Sequence, residues 1–227
     1  MSAIDSTKQA LSAALPVMAG YVGIGIPCGI MESQVGFDAF MAFLMSMTFY
    51  SGAGQFMIPS LWMAGSPIAS IIASVSFVNT RQMLYSAAFS PFFKKVKKGL
   101  TFLFSATVTD ESFGVNLSKF TTGDWGAGRA TMVNLFCMTT WALSNAAGVL
   151  VGDALSIPSA IAAFAMTSIF ICLLASQKIN RTNAVVIIVS VVGVVVCKSI
   201  GLAGPAILIG ACLGVAAGMG IRVGKSL

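Results

Sequence analysis

The chain has 227 residues, of which 57% are hydrophobic and only 9% are charged. Soluble domains carry about 25% charged residues, so this composition excludes an ordinary soluble domain. The 13 basic and 7 acidic residues give a formal net charge of +6, but the basic residues lie between long apolar runs. The composition therefore predicts a polytopic membrane protein in a lipid bilayer, whose basic residues set its orientation and do not bind nucleic acid.

Eight apolar stretches follow one another, each near the length of about 20 residues that a helix needs to cross a bilayer. They are much longer than barrel strands and do not alternate, so the predicted fold is all-α. No loop is long enough for a further domain, and residues 1–227 are predicted to form one transmembrane domain. The stretches run from about residue 10 to 31, 39 to 64, 67 to 91, 99 to 116, 130 to 151, 157 to 176, 183 to 203 and 205 to 221.

Eight crossings from a cytoplasmic N-terminus satisfy the positive-inside rule at every loop except one. Lys119 and Arg129 then lie in the cytoplasm, and the acidic loop with Glu32 and Asp38 lies outside. The exception is the run "KKVKK" at 94–98, which this arrangement places outside. Eight spans therefore conflict with the charge distribution at one position.

The two stretches that flank this run carry polar residues in their interiors. The third contains "VNTRQ" with Asn79 and Arg81, and the fourth contains "TVTDES" with Asp110 and Glu111. If both stretches were broken, re-entrant elements that return to the side of the membrane from which they entered, every lysine of the run would be cytoplasmic. Six spans with two re-entrant hairpins are therefore preferred to eight spans, and both arrangements place both termini in the cytoplasm.

The segment "FYSGAGQF" at 49–56 interrupts the second stretch. Gly52 and Gly54 allow the chain to leave helical dihedrals, and Ser51 and Gln55 can satisfy the backbone groups freed by a break. A break would also present amide donors at the positive end of a half-helix, which suits a carboxylate. The alternative is a face of small residues for close helix packing.

The first stretch contains a similar segment, "GIGIPCG". Pro27 removes a helical hydrogen bond, and Gly29 follows two residues later. We predict a helix break or kink at Pro27 and Gly29.

Arg81 is the most informative single residue, because a guanidinium in the membrane interior is costly unless it has a partner. Its expected partners are Asp110 and Glu111, and Tyr85 lies one turn later on the same helix face. Asp110 and Glu111 point about 100° apart on a helix, so only one of them can face Arg81. The group forms either a substrate and coupling site or a buried structural ion pair.

Trp141, Ser144, Asn145 and Asn134 lie in the fifth stretch and are predicted to form hydrogen bonds between helices. The chain has no histidine, and its five cysteines lie in apolar runs without metal-ligand spacing. We therefore expect no disulfide framework, no metal site and no cofactor.

Four segments together resemble the AzlC-type branched-chain amino acid exporters. They are "GYVGIGIPCGI" at 20–30, "TFYSGAGQF" at 48–56, "TRQMLYSAAFSPFF" at 80–93 and "TVTDESFG" at 107–114. The resemblance covers the whole chain and is most specific in its first half. The chain departs from the family pattern near 156–176, where Ser156 and Ser159 stand at positions that are often acidic.

The resemblance implies the large subunit of a transporter in the bacterial cytoplasmic membrane. Such a permease exports branched-chain, that is aliphatic, amino acids with proton coupling and works with a small hydrophobic membrane subunit of the AzlD type. It also implies substrate-binding or coupling roles, in this chain, for Ser51, Gly52, Gln55, Arg81, Tyr85, Asp110 and Glu111. Gly54 is a further candidate because it belongs to the same interrupted segment as Ser51 and Gly52. The remaining hypotheses are an assembly subunit or channel and an intramembrane enzyme that uses Asp110 and Glu111.

Overall fold

The computed structural model describes residues 3–123, 125–155, 180–201 and 206–223, with isolated positions between 164 and 175. Within these ranges the chain forms ten helices and no strand, which confirms the all-α class. The sixth predicted stretch, with Ser156 and Ser159, lies outside the described residues. The helices are α1 (Ala3–Ser33), α2 (Ala39–Thr48), α3 (Gly52–Met63), α4 (Ile68–Ala88), α5 (Ser90–Phe93), α6 (Lys98–Thr107), α7 (Asp110–Thr122), α8 (Ala127–Leu155), α9 (Arg181–Ser199) and α10 (Ala206–Val223).

The chain divides into two compact units, and the prediction of one transmembrane domain stays a prediction. The first unit comprises Met1–Pro59 and Val78–Met166, and the second comprises Ser60–Phe77 and Thr167–Leu227. Among the described residues, three helical segments are long and apolar enough to cross a membrane. They are Ile4–Ser33, Ala127–Ala154 and Thr182–Ser199.

The helix break expected at Pro27 and Gly29 does not occur. Helix α1 runs without interruption from Ala3 to Ser33 and contains both residues. Gly29 instead lies against the backbone of Asn145, where a Cβ atom would overlap the carbonyl group. The glycine is therefore explained by close packing of α1 against α8.

Helices α1 and α8 form the centre of the first unit and run in the same direction. Thr7 Oγ1 lies 3.9 Å from Met132 Sδ near their beginnings, and Gly29 meets Asn145 near their ends. A Cβ atom added at Gly148 would likewise overlap the backbone of Ile26. Each helix carries two glycines four residues apart, which is the spacing that lets membrane helices approach closely.

The second stretch folds back on itself, so α2 and α3 form a hairpin. Helix α2 ends at Thr48 and α3 begins at Gly52. Ser46 Oγ lies 2.8 Å from Gln55 Nε2, and the ring of Phe49 lies against Gly54. Nine residues of one straight helix would hold positions 46 and 55 about 13 Å apart. The chain therefore reverses at residues 49–51, which we call the first tip.

The fourth stretch forms a second hairpin from α6 and α7. Helix α7 starts with Asp110 beside Arg81 and ends near the ring of Phe92, whose centroid lies 4.6 Å from that of Phe120. Helix α6 begins at Lys98, close to Phe92 in the chain, and ends just before Asp110. The two helices are therefore antiparallel, and the chain reverses at residues 108–109, which we call the second tip.

This hairpin places the "KKVKK" run at the same end of the first unit as Lys119. Lys94 follows the aromatic pair that contacts Phe120, and Lys119 precedes Phe120. A single span over the fourth stretch would have separated these cations. The run and Lys119 therefore lie at one end of the first unit, as a re-entrant fourth stretch requires.

The prediction for the third stretch is wrong, because α4 is one continuous helix through Asn79 and Arg81. The polar residues of α4 do not break it, since each finds a partner on a neighbouring hairpin: Ser51 donates to Asn79, and Asp110 pairs with Arg81. The chain reverses instead in the second predicted stretch, at the first tip.

The second unit contains α9 and α10, which pack through small residues. A Cβ atom at Gly210 would overlap the side chain of Val194, and one at Gly214 would overlap that of Ser190. Asn180 caps the start of α9, because its side chain accepts a hydrogen bond of 2.8 Å from the amide of Asn183.

Candidate functional site

The two tips meet the middle of α4 within the first unit, and we call this region the central site. The first tip contributes Tyr50 and Ser51, and the second contributes Thr109 and the first turn of α7. These residues contact Asn79 and Arg81 on α4 and Tyr21 on α1, and Tyr85 lies one turn beyond Arg81. The central site comprises Tyr21, Tyr50, Ser51, Asn79, Arg81, Tyr85, Thr109, Asp110 and Glu111.

Ser51 fixes the first tip against α4. Its hydroxyl donates to Asn79 Oδ1 at 2.6 Å and accepts from the amide of Gly54 at 3.1 Å, so it caps α3. Gly54 packs under the ring of Phe49, where a side chain would collide with it. The first helical amides of α3, which start at Gly52, have no partner within the helix and carry the positive end of its dipole.

The second tip presents a second helix N-terminus. Thr109 and Ser112 form a reciprocal capping box at the start of α7, which satisfies two otherwise unpaired amides. Asp110 and Glu111 lie in the first turn, where the helix dipole stabilises negative charge. The helix therefore places a partly buried carboxylate, that of Asp110, and an exposed one, that of Glu111, in the same turn.

The two carboxylates face different partners, as the helical geometry predicts. Arg81 NH1 lies 2.8 Å from Asp110 Oδ2, and their side chains are 30% and 25% exposed. Glu111 accepts a hydrogen bond of 2.7 Å from the hydroxyl of Tyr21, which also lies 2.8 Å from Thr109 Oγ1. Asp110 and Glu111 are thus not paired with each other as an acid and a base.

Three buried polar atoms at the central site have no hydrogen-bond partner in the part of the chain that the structure describes. They are the hydroxyl of Tyr50, Nε of Arg81 and Oδ1 of Asp110. Two of them are donors, and the third is a carboxylate acceptor. The Tyr50 hydroxyl lies near those of Tyr21 and Thr109, and Asp110 lies near the Tyr85 hydroxyl, but none of these contacts has the geometry of a hydrogen bond. Because buried polar groups are normally hydrogen-bonded, unpaired groups of both kinds in one place indicate a site for a polar ligand.

Gln55 is brought to a neighbouring cluster and not to the central site. It is fully buried, its amide donates to Glu32 at 3.0 Å and to Ser46 at 2.8 Å, and its oxygen accepts from Trp141 Nε1 at 2.5 Å. Trp141 also packs edge-on against Tyr21, with centroids 5.3 Å apart. We call Glu32, Ser46, Gln55 and Trp141 the glutamine cluster.

The position of Glu32 corrects the sequence analysis, which assigned it to an external loop. It lies in the last turn of α1 and is only 1% exposed. One carboxyl oxygen accepts from Gln55, and the other has no partner among the described residues. A buried carboxyl group with one unsatisfied oxygen can hold or release a proton.

All three tyrosines of the chain belong to the central site, and two of them were missed in the sequence analysis. Tyr21 and Tyr50 contact the second tip, and Tyr85 lies within electrostatic reach of Asp110 and Arg81 while its ring stacks on Phe113 at 4.6 Å. A buried phenol needs a polar partner. Three tyrosines within such an apolar chain were therefore a usable signal.

The interhelical hydrogen bonds expected from the fifth stretch are confirmed for two residues. Trp141 reaches Gln55, and Asn134 bridges Asn116 on α7 and Thr107 on α6. Asn145 instead donates to a carbonyl group of its own helix. These bonds fix both hairpins to α8.

Comparisons with known proteins identify the family. The family model described as AzlC protein matches residues 16–155, which include the whole central site. An uncharacterized membrane protein of Helicobacter pylori is 30% identical over 198 residues, covering 87% of this chain and 86% of the relative. No solved structure matches this chain.

Two named relatives are more distant. The "Branched-chain amino acid transport protein AzlC" of Bacillus subtilis is 25% identical over 173 residues, covering 75% of this chain and 67% of the relative. The "Inner membrane protein YgaZ" of Escherichia coli is 24% identical over 144 residues, covering 62% and 59%. With its apolar helices and a family match over more than half its length, this chain is a multi-pass protein of the cell membrane and belongs to the AzlC family.

Proposed function

We propose that the protein is a secondary transporter subunit that exports aliphatic, branched-chain amino acids, with proton coupling and with a small AzlD-type membrane subunit. The family match and the name of the Bacillus subtilis relative support amino acid transport. The observation that carries the proposal is the set of unpaired donors and an unpaired acceptor at the central site.

A zwitterionic amino acid fits this set of groups. Its carboxylate takes the hydrogen bonds of Arg81 Nε and the Tyr50 hydroxyl, next to the amide end of α3. Its ammonium group binds Oδ1 of Asp110. The stacked rings of Tyr85 and Phe113 offer an apolar wall for an aliphatic side chain.

The hairpins supply a mechanism for alternating access. In this proposal α1 and α8 cross the membrane, and α4, which is not among the three long, apolar segments, crosses beside them because its Asn79 and Arg81 are paired. The α2–α3 hairpin enters from outside and the α6–α7 hairpin enters from the cytoplasm. With these two hairpins and six spans, both termini and every basic loop are cytoplasmic. Withdrawal of one tip at a time then opens the central site to one side only.

Labelling from the two sides of the membrane tests this topology. We expect Lys95→Cys, in a chain without its native cysteines, to react with a membrane-impermeant maleimide only after the cells are permeabilised. Asp38→Cys should react in intact cells, because Asp38 caps the start of α2, where the α2–α3 hairpin enters from the outside in this proposal. Reaction of Lys95→Cys in intact cells would reject the cytoplasmic entry of the second hairpin.

Counterflow in proteoliposomes tests the transport function. Vesicles loaded with unlabelled leucine or valine should take up the labelled amino acid, with and without the co-expressed small subunit, and an inward proton gradient should drive net efflux. Lysine and aspartate as unlabelled competitors are the controls, because the proposed site pairs with one carboxylate and one ammonium group. Absence of counterflow under both conditions would favour an assembly subunit, and unsaturable flux would favour a channel.

Glu32 is the proposed proton carrier. The variant Glu32→Gln keeps an acceptor for Gln55 and permanently resembles the protonated acid. We expect it to retain counterflow, which needs no net proton movement, and to lose efflux driven by the proton gradient. Normal gradient-driven efflux in this variant would exclude Glu32 from coupling.

The enzyme hypothesis has no support at this site, because Asp110 and Glu111 have separate partners.

A further inference from the structure

A cationic cleft lies at the end of the first unit where α1 and α8 begin, far along both helices from the glutamine cluster. It encloses about 530 Å³ between α1, the end of α7 and the start of α8. We call it the basic cleft, because Lys8, Lys119 and Arg129 contribute cations from three different helices. Its further lining includes Gln9, Ser12, Thr122 and Trp125.

An anchored tryptophan organises the cations. Trp125 Nε1 donates to Asn116 Oδ1 at 3.1 Å, which fixes the plane of the ring. The guanidinium carbon of Arg129 lies 5.0 Å from the ring centroid, and Lys119 Nζ lies 5.7 Å from it. Gln9 accepts a hydrogen bond of 2.7 Å from Arg129. Both cations are therefore held over one ring before any ligand binds.

The backbone adds to the positive potential. Helices α1 and α8 run in the same direction, so the positive ends of both dipoles lie at this end. Lys8 and Lys119 are exposed and lie around one cleft with Arg129, so an anion in the cleft is attracted by basic side chains from three helices. The cleft thus suits a group with several anionic oxygens, such as a phosphate.

The surface next to the cleft is apolar. Leu11 and Leu15 lie three and seven residues after Lys8, which places them on the same face of α1. They are 37% and 54% exposed. This face therefore leads from the cations into the hydrocarbon region, as the acyl chains of a lipid require. Tryptophan is also a typical residue of the membrane interface.

We propose that the basic cleft binds the phosphate headgroup of an anionic phospholipid of the cytoplasmic leaflet. The phosphate oxygens contact Lys8, Lys119 and Arg129, and an acyl chain lies along Leu11 and Leu15. The bound lipid connects the end of α7 to the starts of α1 and α8. This site is separate from the central site and does not depend on the proposed transport function.

Thermal unfolding of the purified protein in a neutral detergent tests the proposal. We expect phosphatidylglycerol to raise the unfolding temperature saturably, and phosphatidylcholine and inorganic phosphate to have no such effect. The double variant Lys8→Gln/Lys119→Gln should bind phosphatidylglycerol about tenfold more weakly or worse, because each surface cation attracts anionic lipid. Neither lysine touches the tip residues, so the variant should remain monodisperse and keep the unfolding temperature of the unmodified chain in the absence of lipid, which shows that it is folded.

The matched control is Lys95→Gln/Lys98→Gln, which removes the same charge from the same end outside the cleft. It should keep the affinity of the unmodified chain for phosphatidylglycerol. An equal loss in both double variants would overturn the proposal in favour of general surface charge. If inorganic phosphate stabilises the protein equally, the ligand of the cleft is a free phosphate and not a lipid. If phosphatidylglycerol gives no stabilisation, the proposal that the cleft binds a phosphate headgroup is wrong.

Discussion

Arg81→Gln is expected to abolish transport while the protein still inserts into the membrane. The substitution removes the charge that pairs with Asp110 at 2.8 Å and the unpaired Nε that we assign to the substrate carboxylate. Loss of one partner of a buried charge pair costs at least about 2 kcal/mol, which corresponds to roughly 30-fold in affinity or rate. Counterflow of labelled leucine in proteoliposomes measures the effect.

The competing explanation is a structural ion pair, and a double variant separates the two. Arg81→Gln/Asp110→Asn removes both charges and leaves no uncompensated ion in the site. If the pair only stabilised the fold, the double variant would regain both the unfolding temperature and transport. We expect it to regain stability but to remain inactive, because neither end of the substrate then has its charged partner. Recovered counterflow would disprove the binding role.

Gly29→Ala is expected to destabilise the first unit strongly. The added methyl group would overlap the carbonyl of Asn145 and the amide of Val149, which are backbone atoms and cannot rotate away. Overpacking of this kind costs about 1–3 kcal/mol, and more where only backbone can yield. We expect a lower unfolding temperature and a lower yield of monodisperse protein, and a larger side chain at this position should prevent assembly.

The same helix supplies controls that should change stability in the opposite direction. Gly20 and Gly23 have nothing within 4 Å of an added Cβ atom. Alanine there should be neutral or stabilising by up to about 1 kcal/mol, because glycine is a poor helix former. Equal destabilisation by Gly20→Ala and Gly29→Ala would show that the α1–α8 contact is not the cause.

The sequence allowed the local chemistry of the site to be predicted. Gly52 and Ser51 indicated that a helix could stop inside an apolar stretch, because glycine tolerates the turn and serine can cap the new end. Arg81 indicated a carboxylate partner, because a guanidinium without one is costly in a membrane. Each inference needed only nearby residues or the complementarity of charges.

The direction of the chain after each interruption could not be predicted in this way. The sequence pattern of an interrupted helix is the same whether the chain then continues in its original direction or reverses. The reversals at 108–109 and at 49–51 are visible only in contacts between residues distant in the chain, such as Phe92 with Phe120 and Ser46 with Gln55. Glu32 was misplaced for the same reason: its burial is created by Gln55, which is distant in the chain.

The opposed hairpins have a consequence for inhibitors. Asn79 holds the first tip and Arg81 holds the second, so both attachments lie within one turn of α4. In the proposed topology, a molecule that wedges either tip acts on the same segment of α4 but arrives from the side of the membrane at which that hairpin enters. We therefore expect inhibitors of this protein to fall into two classes, which act from opposite faces of the membrane. The two classes should compete with each other, because both act on the same segment of α4.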